Sequence, residues 1–190
     1  MAFPSPPWKI HGQAWFSLFY ATRPGDALGV YAAACLSHES GSTLPHQALL
    51  VGRLVREDGG SAVQVVDGWA DNAAAVEGYR AAFGFPVGSG SLEAEVGGLG
   101  PVGRAEWHAP AVAGAHFADT AGVALRMPLR LTTRQPAVGE PTMGASLSGS
   151  ARSVPCLGVW SIPEDGPLGW LAHKQPFASF RARDARLVLG

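Results

Sequence analysis

The residues able to do chemistry in this 190-residue chain are few and scattered. His38 and Glu39 adjoin in the polar, glycine-bearing loop 38–46, the kind of loop that lines a pocket mouth. Either side chain is capable of acid–base work; the plainer reading of Glu39 is a solvated or backbone-bonded carboxylate. His46 closes the same loop, but nothing in the spacing demands a third ligand, so no metal is expected. Arg80 carries a fork that fits a substrate carboxylate, or serves as a helix-surface cation paired with Asp67, Asp71 or Glu77. Cys35 and Cys156 form no metal or redox motif and read as two buried free thiols. His11 reads as a strand histidine with one hydrogen bond. Ser146, Ser148 and Ser150 alternate on one strand face, without the Gly-x-Ser-x-Gly elbow of a nucleophile. Neither a dinucleotide glycine motif nor a P-loop is present, and no cofactor is expected.

The elements that must position these groups are mostly strands. The alternation of apolar and polar residues predicts strands over 8–22, 28–38, 47–56, 61–69 and 92–96. Six more follow at 103–108, 115–119, 122–132, 143–150, 154–161 and 179–189. The turn Glu57-Asp-Gly-Gly60 joins two of them as a hairpin. Pro128 marks an edge or a bulge. The last strand is expected to put Arg181, Arg183 and Ala185 on one face. A helix over about 72–83 is capped by Asp71 or Asn72 and stopped by Gly84 and Pro86, with a flexible loop at 88–91 beyond it. Residues 166–173 suggest a helical turn, and residues 1–7, with three prolines, an extended arm.

Composition bounds the rest. Hydrophobic residues make up 47% and charged residues 15%, too apolar for disorder. Twenty-five Gly and fifteen Pro without a period suit short strands and tight turns. The net charge is −1 and the cations stand singly along the chain, so no nucleic-acid partner is implied. Twelve of the fourteen cations are Arg, leaving Lys9 and Lys174 as the side-chain amines. No apolar run is long enough to span a membrane and no signal peptide is evident, so a cytoplasmic location is expected. With no repeat or linker, the chain reads as one domain over 1–190: a mainly β antiparallel barrel or cone with one or two short helices.

Four stretches resemble the acetoacetate decarboxylase superfamily. Pro7-Trp-Lys-Ile-His11 is similar to its opening motif, and His38-Glu-Ser-Gly41 to its Glu-Ser-Gly loop. Residues 69–86 are similar to its central strand–helix–Pro-Lys segment, and 167–180 to the ending of its shorter members. The resemblance implies a cone-like β-barrel with an apolar central pocket, frequent homo-oligomers, and decarboxylation through an imine on a lysine. Carried over by position, that lysine falls on Val87 and a second one on Gly88. The family's Gly-Arg-Glu falls on Tyr79, Arg80 and Ala81, and its first-strand Arg on Gln13. An acidic residue of its second core strand falls near Ala32, and Glu39 is the pocket carboxylate that remains. An isopropyl group forms no imine, so the family's covalent route is excluded at Val87.

These readings lead to three expectations. The first is a barrel that binds a small oxo-acid-like or hydrophobic ligand without an imine. Its pocket would be lined by Trp69, Tyr79, Phe83, Phe85 and Val87, with Gln13, Glu39 and Arg80 as polar contacts. The second is a lyase or hydratase using Glu39 or His38. The third is a structural homo-oligomer subunit with a filled barrel.

Overall fold

The computed structural model describes residues 3–57, 60–97, 103–120, 124–136 and 143–190. Its strands are β1 (Trp8–Ala21), β2 (Gly29–His38), β3 (His46–Glu57), β4 (Gly60–Ala70), β5 (Val87–Ser89) and β6 (Glu93–Gly97). They continue as β7 (Arg104–Ala109), β8 (Ala113–Asp119), β9 (Leu125–Gln135), β10 (Met143–Ser161) and β11 (Ala178–Leu189). Helix α1 spans Ala73–Phe83, and a 3-10 turn covers Gly169–Leu171. The tip of the hairpin turn, residues 58–59, and the expected start of the strand at 122 lie outside the described residues.

Hydrogen-bonded neighbours run β11-β1-β2-β3-β4-β9-β10, and β10 pairs back onto β11, so the path closes into a barrel. The seam is the β4–β9 contact, where Val63 and Thr133 form a parallel pair. Gln135 lengthens this seam. With its amide oriented by hydrogen-bond sense, its nitrogen donates to the Val65 carbonyl at 3.0 Å and its oxygen accepts from the Val65 N–H at 2.7 Å. A side-chain amide thus does what a strand backbone would. The far half of β10, from Cys156 to Ser161, leaves the barrel and pairs with β8, which carries β7 and β6.

Two large cores result. A tryptophan-rich core gathers Trp15, Phe19, Tyr31 and Leu49 of the barrel wall against Trp107 and Phe117 of the β6–β7–β8 leaf. A helix-side core packs Trp8, Tyr79, Phe83, Phe85 and Val87 under α1. Alternation along β1 feeds both: Trp8 faces the helix side, while Trp15 and Phe19 face the leaf.

Helix α1 begins where the sequence predicts. Asn72 Oδ1 accepts from the N–H groups of Ala74 and Ala75 at 2.9 and 3.1 Å. It ends at Gly84, whose left-handed φ of 68° lets its N–H reach back to the Arg80 carbonyl. Gly78 has a packing reason: a Cβ there would lie 2.3 Å from the Trp8 ring. The N-terminal arm folds back, so that Trp8 Nε1 donates to the Pro4 carbonyl at 2.7 Å and Phe3 packs on the same core.

Four expectations are corrected. β10 is one 19-residue strand rather than two, because Ala151-Arg-Ser153 contains no breaker and stays paired with β9. Residues 87–89 form β5, in parallel register with Gly68–Ala70, instead of the start of a loop. His38 and His46 are paired strand residues, so the loop between them is shorter. Ala185 joins Ala182 in a small alanine cluster, away from the face of Arg181. The cause is a bulge at Asp184 (φ 45°): from Arg183 to Arg186, β11 spends one residue more than β10 does across the same pairs.

Candidate ligand site

The structure divides the expected pocket residues into three groups. Val87, Tyr79, Phe83 and Phe85 lie in the helix-side core, all 3% exposed or less. Their rings interlock: Trp8 meets Tyr79 and Phe83 edge-on at 5.4 and 5.0 Å, and Tyr79 stacks on Phe85 at 5.8 Å. Arg80 is exposed and its Nε donates to the Val87 carbonyl, tying the loop after α1 to the helix. Trp69 is half-buried against the tryptophan-rich core. Gln13 and Glu39 meet elsewhere, Gln13 Nε2 donating to Glu39 Oε1 at 2.9 Å.

His38 does not join Glu39. It lies buried with its ring centroid 4.2 Å from that of His46. His46 Nδ1 is 2.8 Å from the Leu44 carbonyl, which only accepts, so Nδ1 carries the proton. Nε2 is then free to accept from the Tyr79 hydroxyl at 3.1 Å. Burial pushes the pKa of His38 well below the usual histidine value, and the neighbouring His46 adds to this. Burial also lowers that of His46, opposed by the Leu44 carbonyl and Asp71. Tyr79 is raised by burial. All three are neutral at neutral pH.

The polar cluster around Gln13 contains a residue that the sequence did not single out for the site. Arg181 on β11 donates to Gln13 Oε1 and, at 3.1 Å, to Asp119 Oδ2. Its guanidinium also sits over the Trp15 ring, 4.9 Å from the centroid. Arg183 donates to the same Asp119 oxygen, which also accepts from the Gly103 N–H at 3.1 Å. Gln13 stands where the resemblance puts an Arg, and the adjacent strand brings a guanidinium to it. Only the β1–β11 register, which pairs Trp15 with Arg181, places it there. Burial lowers the Arg181 pKa, opposed by Cys156 and Glu39, and an arginine remains charged regardless. Cys156 is pushed up to about 11 by burial, with Arg181 pulling the other way, and burial also raises Cys35, so both thiols are protonated and unreactive.

Several buried donors lack acceptors among the described residues: Trp15 Nε1, Arg181 Nε and Arg183 Nε in this cluster, Trp107 Nε1 beside Trp15, and Trp170 Nε1 further off against Tyr31. In the same core a cavity of about 10 Å³ is lined by Cys35, Leu49, Leu92, Trp107 and Trp160 among others. Trp160 itself is satisfied, donating to Ser17 Oγ at 2.8 Å. Lys9 and Lys174 are exposed. Among the described residues no group of three His, Cys, Asp or Glu is arranged to hold a metal ion, and no helix is long and apolar enough to cross a membrane.

A barrel closed by β11 and extended by a three-strand leaf is the fold of the acetoacetate decarboxylases, which is what the sequence motifs imply. Acetoacetate decarboxylase from Legionella pneumophila superposes over 100% of this chain and 86% of its own, with a TM-score of 0.61 and 14% identity. The enduracididine biosynthesis enzyme MppR, in complex with pyruvate, covers 98% of this chain and 89% of its own, with a TM-score of 0.59 and 16% identity. An acetoacetate decarboxylase-like enzyme from Sphingomonas wittichii RW1 covers 98% and 94%, with a TM-score of 0.55 and 12% identity. At these identities the shared property is the fold. No family model and no curated protein matches the sequence.

Proposed function

We propose that this chain binds a small carboxylate-bearing organic ligand, an oxo acid being the leading class, in the tryptophan-rich core and forms no imine with it. One observation carries the reading: among the described residues, Trp15 Nε1, Trp107 Nε1 and Arg181 Nε are buried without acceptors and their groups adjoin, Trp15 lying 5.6 Å from the Trp107 ring and 4.9 Å from the Arg181 guanidinium. Leaving a buried donor unpaired costs about 1–3 kcal/mol, and the oxygens of a carboxylate are the acceptors such a set calls for. Gln13, bonded to Glu39, accepts from Arg181 in the same cluster. The imine route lacks its amine: Val87 packs against α1, position 88 is glycine, and both lysines face solvent. MppR, of the same fold, is found with pyruvate, which makes pyruvate the first probe.

The test combines thermal shift with borohydride trapping across a panel of oxo acids. A concentration-dependent rise in Tm, lost in Arg181→Met, with no mass increase after borohydride is the expected result. An adduct on Lys9 or Lys174, or no shift with any acid, overturns it. A second reading, a filled barrel with a structural role, is favoured by the small cavity, which has room for about one water. It predicts that no acid shifts Tm and that Arg181→Met is merely less stable.

A further inference from the structure

Cations that stand singly in the sequence come side by side on the barrel wall. Arg126, Arg130 and Arg134 occupy alternate positions of β9 with Pro128 and Thr132, and so share one face. Across the β9–β10 pairing their neighbours are Arg152, Ser148 and Gly144. Arg186 of β11 pairs with Ser150 on one side and His11 on the other, and Val188 pairs with Lys9. All five arginines and Lys9 are exposed. Among the described residues a carboxylate drawn into this set is Asp184, which accepts from Arg126 and lies 3.3 Å from Arg186, 3.7 Å from His11 and 4.0 Å from Arg152. With Arg134 left out of the balance, five cations (Arg126, Arg130, Arg152, Arg186 and Lys9) stand against one carboxylate among the described residues of this face, a surplus of four. A recess of about 460 Å³, lined by Thr132, Arg134, Gly144 and Ser146, opens at one end of this face.

The chemistry of this face is specific. Arginine forks interleaved with Ser and Thr hydroxyls are the groups that grip phosphate oxygens. Among the described residues no Phe, Tyr or Trp stands at these positions, so they offer no broad ring for stacking unpaired bases. The exposed apolar side chains of β9, Leu125, Met127 and Leu131, occupy the alternate positions and point to its other face, whereas a lipid surface would require them beside the cations. We propose that the β9–β10–β11 face docks duplex nucleic acid through its phosphate backbone, without reading base sequence.

Fluorescence anisotropy of the full chain with a short labelled DNA duplex tests this. Affinity should fall with salt at a log–log slope of about −3 to −4, as expected for about four phosphate contacts. The double variant Arg130→Glu/Arg152→Glu should bind at least about tenfold more weakly with a flatter slope, while Arg104→Glu on β7 binds as wild type. Arg186→Gln, a milder change, should show the same trend should the double variant fail to fold by circular dichroism. The proposal is overturned by salt-insensitive or undetectable binding at low salt, by variants that bind as wild type, or by retention on phosphatidylserine vesicles without retention of the duplex.

Discussion

The two large cores are built from the same residue types and solve the buried-polar problem in opposite ways. Under α1, each hydrogen-bonding group noted has its partner: Trp8 donates to Pro4, His46 to Leu44, and Tyr79 to His46. Across the sheet, Trp15 and Trp107 bury their indole N–H groups without acceptors among the described residues, beside a buried Arg–Asp–Arg cluster. With the donors of Trp8, His46 and Tyr79 matched by the protein's own acceptors, these groups call for no ligand. A core with a surplus of donors has the composition of a binding site, which is why the proposed ligand belongs there and not beside Val87.

The largest test of this contrast is Asp119→Ala. It strands two guanidinium groups in the tryptophan-rich core and should cost about 3–5 kcal/mol in denaturant unfolding. A much smaller loss would mean that water screens the cluster. Trp8→Ala should cost a similar 3–5 kcal/mol by emptying the space between Tyr79 and Phe83. The sharper comparison is indole to phenyl. Trp8→Phe should lose about 1 kcal/mol more than Trp107→Phe, since only the former removes a made hydrogen bond. Equal losses would show that the Trp107 N–H is satisfied in solution. Asn72→Ala should cost about 1 kcal/mol through the two cap bonds it removes.

Acid separates the cores as well. His38 and His46 are both held below the usual histidine value in the native state. The unfolded chain therefore binds more protons as pH falls, so their stabilising effect is intact above about pH 6.5 and is lost progressively below it. Unfolding midpoints measured downward from neutrality should fall, and His38→Leu should flatten that fall. An unchanged slope in the variant would remove the pair as its cause.

Much of the fold was legible because its signals are local. Asn72, Gly84 and Pro86 bound α1 through backbone geometry that each residue carries with it, and alternation marked most strands. The division of the pocket residues was not legible. His38 and Glu39 adjoin in sequence and lie in separate environments, and Arg181 enters the cluster only through its register with Trp15. Chain order gives no sign of the bulge at Asp184, a non-glycine residue with positive φ.

By itself the sequence determined the absence of an amine at positions 87 and 88, the caps of α1 and the strand-rich class, because these depend on residue type and near neighbours. Only the tertiary structure decided that Val87 is buried in the helix-side core, that a guanidinium from β11 stands beside Gln13, and that six isolated cations form one face. Each of these depends on strand register, and register is set by closing the whole barrel rather than by any stretch of the chain.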